Sequence, residues 1–410
     1  MGELSIVTNN LLQQAAHILS NLIQIPTVAG TDQESQAATY LLDTANKAGL
    51  NGRVVEPQPG KGSFIAHLPG ESEECLLLLS HLDVATVNQP DNWRYPPFSG
   101  KITDQAVWGR GAIDCKGLVV VWLVILYLLH NLKRPLQRSV TMIAAADEES
   151  GGNWGTKWLM QNIPECQKIR WALNEGGGYP LVFRHRNFIT CQTGEKGRIL
   201  LRANDPPLDS PLPSNFKFKA PPTPSTRRML EKILPKPISK RFLSSGIARL
   251  YLRYLQKGAP YSLDPDQLFQ HEVNFELHDQ SVDLKIRTMP GTDSEELIMA
   301  IIDDYDLDQL QWTEISRTDA TESPLDNQLY NHIQVSLNKF LPNHQIIPHI
   351  TPGYSDSRFL RRIGIPAYGF FPLFPDAPLT SQHSDNEFLS FATLRQAIEI
   401  LFDVVTQFCL

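Results

Sequence analysis

Cysteine is scarce and scattered in this 410-residue chain. Its five cysteines (Cys75, Cys115, Cys166, Cys191 and Cys409) are odd in number, and no two form a CxxC pair. That spacing excludes a thiolate zinc motif and argues against a disulfide framework, so a reducing, cytoplasmic setting is expected. A cationic surplus is also missing. With a formal net charge of -7, neither nucleic acid nor an anionic membrane surface is an expected partner. The most apolar run, LVVVWLVILYLL from Leu118 to Leu129, spans only ~18 Å as a helix, against ~30 Å for a bilayer core. It reads as a helix buried inside a large protein. The segment MGELSIVTNNLLQQAAHIL has no basic stretch followed by an apolar core, so a signal peptide is not expected.

What is present is an alternation of strand-like and helix-like segments, in a chain long enough for two domains. Residues 10–50 read as two amphipathic helices. GSFIAHL, CLLLLSHLDV, SVTMIAAADEE and IRWALNEGGG read as strands, with helices between them. This grammar predicts an α/β layer with a mixed, largely parallel sheet flanked by helices. It breaks after Glu195. A proline-rich stretch covers residues 203–238, and HEVNFELHDQSVDLKIRTMPGTDSEELIMAIIDDY then reads as two strands and a helix. From Pro324 the alternation returns. Residues 1–195 and 314–410 are therefore expected to form one discontinuous domain, with 196–313 as an inserted α+β domain.

Several junctions at strand ends carry acids or histidines. LLLLSHLDV ends in His81 and Asp83, two residues apart and so on one side of an extended chain. A carboxylate so placed can orient an imidazole. WGRGAIDCKG places Asp114 in a glycine-rich loop before the apolar helix. TMIAAADEESGG ends in Asp147, Glu148 and Glu149, and WALNEGGG ends in Glu175. Far downstream, PLTSQHSDNEFLSF carries His383 in a polar loop. Each has an ordinary reading alone: a surface histidine, a helix N-cap, a flexible glycine loop. Together they supply two imidazoles and three carboxylates, the ligand inventory for two divalent ions sharing a bridging carboxylate. Metal cations would also supply the positive charge that three adjacent acids require. Zinc is the default for such donors, with cobalt or manganese as alternatives.

The motifs SHLDV, NWRYPPFSGKITDQAVWGRGAIDCKG, AADEESGG, NEGGG, GYSDSRFLRRIGIP and HSDNEF, in this order and spacing, make the chain resemble the aminoacylase and carboxypeptidase S branch of the co-catalytic dizinc metallopeptidases. The resemblance implies a zinc exopeptidase fold. It implies that Asp114 bridges the metals, that His81 and Glu175 complete one site and Glu149 and His383 the other, and that Glu148 is the general base. It further implies that Asp83 orients His81, that the peptide bond after Asp114 is cis, and that the inserted segment is a lid through which such enzymes form homodimers. The implied substrate is a small N-acyl amino acid or short peptide with a free carboxylate, cleaved at its amide bond.

The lid departs from the family pattern. The strand EKGRILLRA is present, but NDPPLDSP follows where the family has Gly-His-x-Ser. Aligning Ser210 with the motif serine puts Leu208 at the histidine position, and no histidine lies between His185 and His271. Asn274 matches the family's lid asparagine, Arg287 the arginine before Pro-Gly, and Lys285 replaces an aspartate. Asn274, Arg287 and Arg358 are the candidate substrate-binding residues. The altered lid leaves open a specialised amide hydrolase, an acyl-transfer or amide-forming catalyst, and a metal-binding protein without catalysis.

Overall fold

The computed structural model describes residues 6–183, 186–204, 216–234, 270–278, 280–373 and 385–410. The chain opens with α1 (Asn9–Ile23) and α2 (Glu34–Lys47), then β1 (Gly52–Val55), β2 (Ser63–Leu68) and β3 (Gly70–His81). Two short strands, β4 (Lys101–Ile102) and β5 (Ala106–Trp108), precede α3 (Lys116–Asn131), β6 (Leu136–Ala145) and α4 (Thr156–Asn162). Next come β7 (Ile169–Asn174), β8 (Pro180–Phe183) and β9 (Arg186–Glu195). All of these strands except β4 and β5, with β15 (Thr321–Glu322), β16 (His344–Thr351) and β17 (Ala367–Gly369), build a ten-stranded mixed sheet of order β1-β2-β6-β3-β7-β17-β9-β15, with β8 and β16 also paired to β9.

The centre of that sheet, β6-β3-β7-β17, is parallel, so its strands all end on one edge, where open α/β sheets collect ligands. The run of four leucines makes β3 the spine. Leu76 and Leu78 face one apolar cluster, with α1, α3 and the carboxy-terminal helix, while Leu77 and Leu79 face the other. A strand buried on both faces reads as continuous rather than alternating hydrophobicity. The apolar run of α3 is buried from Lys116 through Leu126, and none of the described helices is long and apolar enough to cross a membrane.

A second sheet, wholly antiparallel, has its own core. It contains β10 (Gly197–Asn204), β11 (Phe216–Lys219), β12 (Gln270–His278), β13 (Ser281–Thr288) and β14 (Thr313–Thr318), in the order β11-β12-β13-β10-β14. Between these strands run α5 (Pro224–Ile233) and α6 (Ser294–Asp304). Strict alternation along β10 and β13 sends Ile199, Leu201, Ala203, Val282, Leu284 and Ile286 to one face, against Leu297, Ile298 and Ile301 of α6. The opposite face carries charge. The expected boundary at residue 313 coincides with the first residue of β14, whose pairing with β10 runs on to Thr318. The remaining elements are α7 (Gln328–Phe340), α8 (Ser357–Arg362), β18 (Phe388–Ser390), which pairs with β5, and α9 (Phe391–Cys409).

Candidate active site

Because β3, β6 and β7 are adjacent and parallel, the residues after them converge. His81 ends β3 and is buried. Its Nε2 lies 3.0 Å from Asp114 Oδ1 and 3.6 Å from Glu175 Oε1. One potential ligand atom from each of His81, Asp114, Cys115 and Glu175 lies within 4.8 Å of the others, and the same holds for His81, Glu148 and Glu149. The Asp114–Cys115 peptide is cis. His383 lies outside the described residues, as do Leu208 and Ser210 of the lid motif.

The charge balance of this cluster is poor. Burial, then Asp114 beside it, pushes the Glu175 carboxyl up to about 7. Burial also raises Glu148 well above the usual carboxylate range, with Glu175, Asp356 and Glu149 adding repulsion. Burial opposes charge on His81, yet Glu175 and Asp114 draw its imidazole well above its ordinary value. The His81 ring donates from Nδ1 to the Asp83 carbonyl oxygen at 2.9 Å, which turns Nε2 towards two carboxylates. Lone pairs and anions converging in a buried space fit a divalent cation better than they fit one another.

Asp83 does more than face His81. Its carboxylate is 3.5 Å from Nδ1, farther than its own carbonyl. The carboxylate oxygens instead accept from the amides of Glu148 (3.1 Å) and Glu149 (2.9 Å). One fully buried side chain therefore ties the β3 end to the acidic turn after β6.

Three further anchors escaped the sequence reading. Glu387, buried and four residues beyond His383, accepts from the amides of Gly111, Ile113 and Asp114 (3.1, 2.7 and 3.0 Å) and from Arg110 Nη1 (2.9 Å). All four acceptances hold the loop that presents Asp114. The only local signal was an acid just before the apolar FLSF. Lys61, also buried, places Nζ 2.8 Å from Glu34, 3.1 Å from Asp32 and 3.4 Å from Asp147, so the first of the three consecutive acids has a lysine beside it. Lys116 Nζ donates to the carbonyls of Leu22 and Ile25 (3.0 and 2.7 Å), and burial lowers it to about 7.

The candidate substrate residues divide. Arg358 is buried; Nη1 donates to Ser355 O (2.9 Å) and Nη2 to Gly151 O (2.8 Å), and the guanidinium lies over Tyr354 and Phe359. Its fork braces the acidic turn. Gly152 in that turn has φ +70, and a Cβ there would lie 2.4 Å from Asp356 Oδ1, so only glycine fits. Asn274 and Arg287 lie on the charged face of the second sheet, opposite Lys285 and Arg198 respectively.

Known proteins are similar to this chain. Aminoacylase-1A of Rattus norvegicus is 23% identical over 397 residues, covering 92% of this chain and 91% of its own length. A probable succinyl-diaminopimelate desuccinylase of Staphylococcus aureus is 24% identical over 188 residues, and this match spans only 45% of each protein. The solved M20 family metallo-carboxypeptidase of Sulfolobus solfataricus superposes with a TM-score of 0.67 at 16% identity, over 96% of this chain and 98% of that one, a likeness of fold. The model of Peptidase family M20/M25/M40 matches residues 77–407, and the chain belongs to that family.

Proposed function

We propose that the chain hydrolyses the amide bond of an N-acyl amino acid or short peptide. The observation that carries this reading is the convergence of His81, Glu148, Glu149 and Glu175, after three adjacent parallel strands, with Asp114 from the loop before α3: His81 and Glu148 are buried, the other three partly so, and no lysine or arginine stands among them. His81 and Glu175 would hold one divalent cation and Glu149 and His383 the other, with Asp114 shared between them. Nitrogen and oxygen donors of this kind suit zinc, with cobalt or manganese as alternatives. Two such ions supply Lewis acidity and lower the pKa of water.

The chain's own residues do the rest. Glu148 takes a proton from the attacking water on its carboxylate and returns it to the departing amine. Its burial and its acidic neighbours favour holding that proton between the two transfers. Asp83 keeps the backbone of Glu148 and Glu149 fixed, and fixes the His81 ring through its carbonyl. The second sheet is read as the lid and as the surface for a homodimer. The five cysteines, all free and buried, fit a reducing cytoplasmic setting.

The test is a panel of N-acyl amino acids and dipeptides offered to protein loaded with two metals per chain. Absence of turnover throughout would overturn the reading. A second reading, acyl transfer or amide formation, is motivated by the missing lid histidine, since losing an oxyanion donor costs about 10²–10³ in rate. Incubation with acyl donors and amines that gives only hydrolysis products eliminates it. A purely metal-binding role is eliminated if Glu148→Gln abolishes a measured activity while both metals remain.

A further inference from the structure

The charged face of the second sheet is balanced everywhere except at one end. Register places Arg198, Leu200 and Arg202 of β10 on this face, with Arg287, Lys285 and Asp283 opposite them on β13, and Glu272, Asn274 and Glu276 beyond on β12. Away from the main sheet, cations and acids match. Arg202 grips Asp283 with two hydrogen bonds of 2.6 and 2.8 Å, and Lys285 pairs with Glu276. At the other end, Arg198 and Arg287 face each other directly. Like charges in direct cross-strand register are destabilising.

The acid nearby does not settle this. Glu272 lies 3.7 Å from Arg287 but only 2.8 Å from Lys196, a buried lysine that claims it first. Among the described residues no ion pair includes Arg198; its guanidinium lies over the Tyr354 ring at 4.8 Å. Lys196 and Arg287 thus share one carboxylate, with Lys217 of β11 in register opposite it, and Arg198 adds a further positive charge beside Arg287 in a chain whose net charge is -7. Partial burial and the neighbouring Arg287 and Arg358 lower the Arg198 pKa, the direction expected of a crowded cation without an anion.

This end connects to the acidic turn through Tyr354 and Arg358. Arg287 Nη1 reaches Pro352 O at 3.5 Å. Tyr354, beneath Arg198, also lies beneath Arg358 at 4.4 Å, and Arg358 donates to Gly151 two residues from Glu149. One guanidinium suffices for one carboxylate. A second, aligned across the ladder and lacking its own acid, calls for a second anion.

We propose that Arg198 and Arg287 form a subsite for two carboxylates, so that the substrates are N-acyl compounds bearing two acids: an acidic amino acid, or a dicarboxylic acyl group on a neutral one. This inference rests on the amide-hydrolase reading.

The test compares N-acetyl-leucine, N-acetyl-glutamate and N-succinyl-leucine on metal-loaded protein. At least one two-acid substrate should exceed N-acetyl-leucine in kcat/KM by about tenfold or more, the size of a lost charged hydrogen bond. Arg198→Gln should lower that ratio by about tenfold, chiefly through KM, and Arg198→Lys should restore part of it. A wild-type preference for N-acetyl-leucine, or a ratio unmoved by Arg198→Gln, overturns the subsite while hydrolysis stands. Should no substrate turn over, hydrolysis itself fails and calorimetry with glutarate and butyrate decides the subsite. Glutarate bound more tightly than butyrate by wild type, but not by Arg198→Gln, supports it; equal binding overturns it.

Discussion

The carboxyl edge of the main sheet and the charged face of the second sheet are both rich in acids, and they handle them differently. On the second sheet the charges are half-exposed, alternate in sign and mostly pair across strands, as in Arg202–Asp283 and Lys285–Glu276. The exception is the end where Arg198 faces Arg287. At the main sheet's edge, His81, Asp83 and Glu148 are buried, Asp114, Glu149 and Glu175 partly so, and acids outnumber cations. Water cannot screen charge there, so the imbalance must be met by something that binds. Paired, exposed charge keeps a surface solvated, whereas unpaired, buried charge marks a place where chemistry is prepared.

The comparison can be tested in descending order of effect. Replacing Glu148 with Gln keeps the shape and removes the base. It should lower kcat by about 10²–10⁴, and the metal content of the purified variant should stay unchanged.

Glu387→Ala leaves Arg110 and three amides without their acceptor in a buried loop. It should destabilise folding by about 3–5 kcal/mol, measured by denaturant titration, and weaken metal retention through Asp114.

Metal removal probes the imbalance directly. Restoring divalent cation to chelator-treated protein at 100 times its dissociation constant should add about 2.7 kcal/mol of stability, seen as a rise in Tm.

A buried base extends the contrast. His349, in β16, is pushed down to about 4 by burial alone, whereas an unfolded histidine titrates near ~6.5. Between these values the unfolded state binds the extra proton. Its contribution to stability is present above about 6.5 and falls as pH drops towards about 4. Denaturant titration of a His349→Gln variant should show a shallower loss over that window. At the small end, Lys285→Ala removes an exposed pair and should change stability by about 0.2–1 kcal/mol.

Much of the site was legible because its residues sit at the ends of segments with strong local signals. Four leucines before His81, the apolar strand before Glu148 and the glycines after Glu175 each announce a strand and its end. The anchors were not legible, for one shared reason: their partners are distant in sequence. Glu387 holds amides 273 to 276 residues away, Lys61 reaches Asp147, and Arg358 reaches Gly151. Arg358 was also misleading in sequence. Its place in SDSRF allows a substrate contact or a structural one, and in the fold its nitrogens donate to two carbonyls. Arg198 drew no notice, because a lone arginine in a strand means little until its cross-strand neighbour is known.

The sequence by itself determined which segments are strands and helices, which strand is buried on both faces, and which side chains stand at strand ends. Periodicity and local composition encode those properties within a few residues. Only the tertiary structure decided that β3, β6 and β7 are parallel neighbours, that Asp83 holds the turn carrying the expected base, and that Arg198 faces Arg287, which shares one acid with a lysine. Strand order and register set charge against charge across long stretches of chain, and no local pattern records which partner arrives.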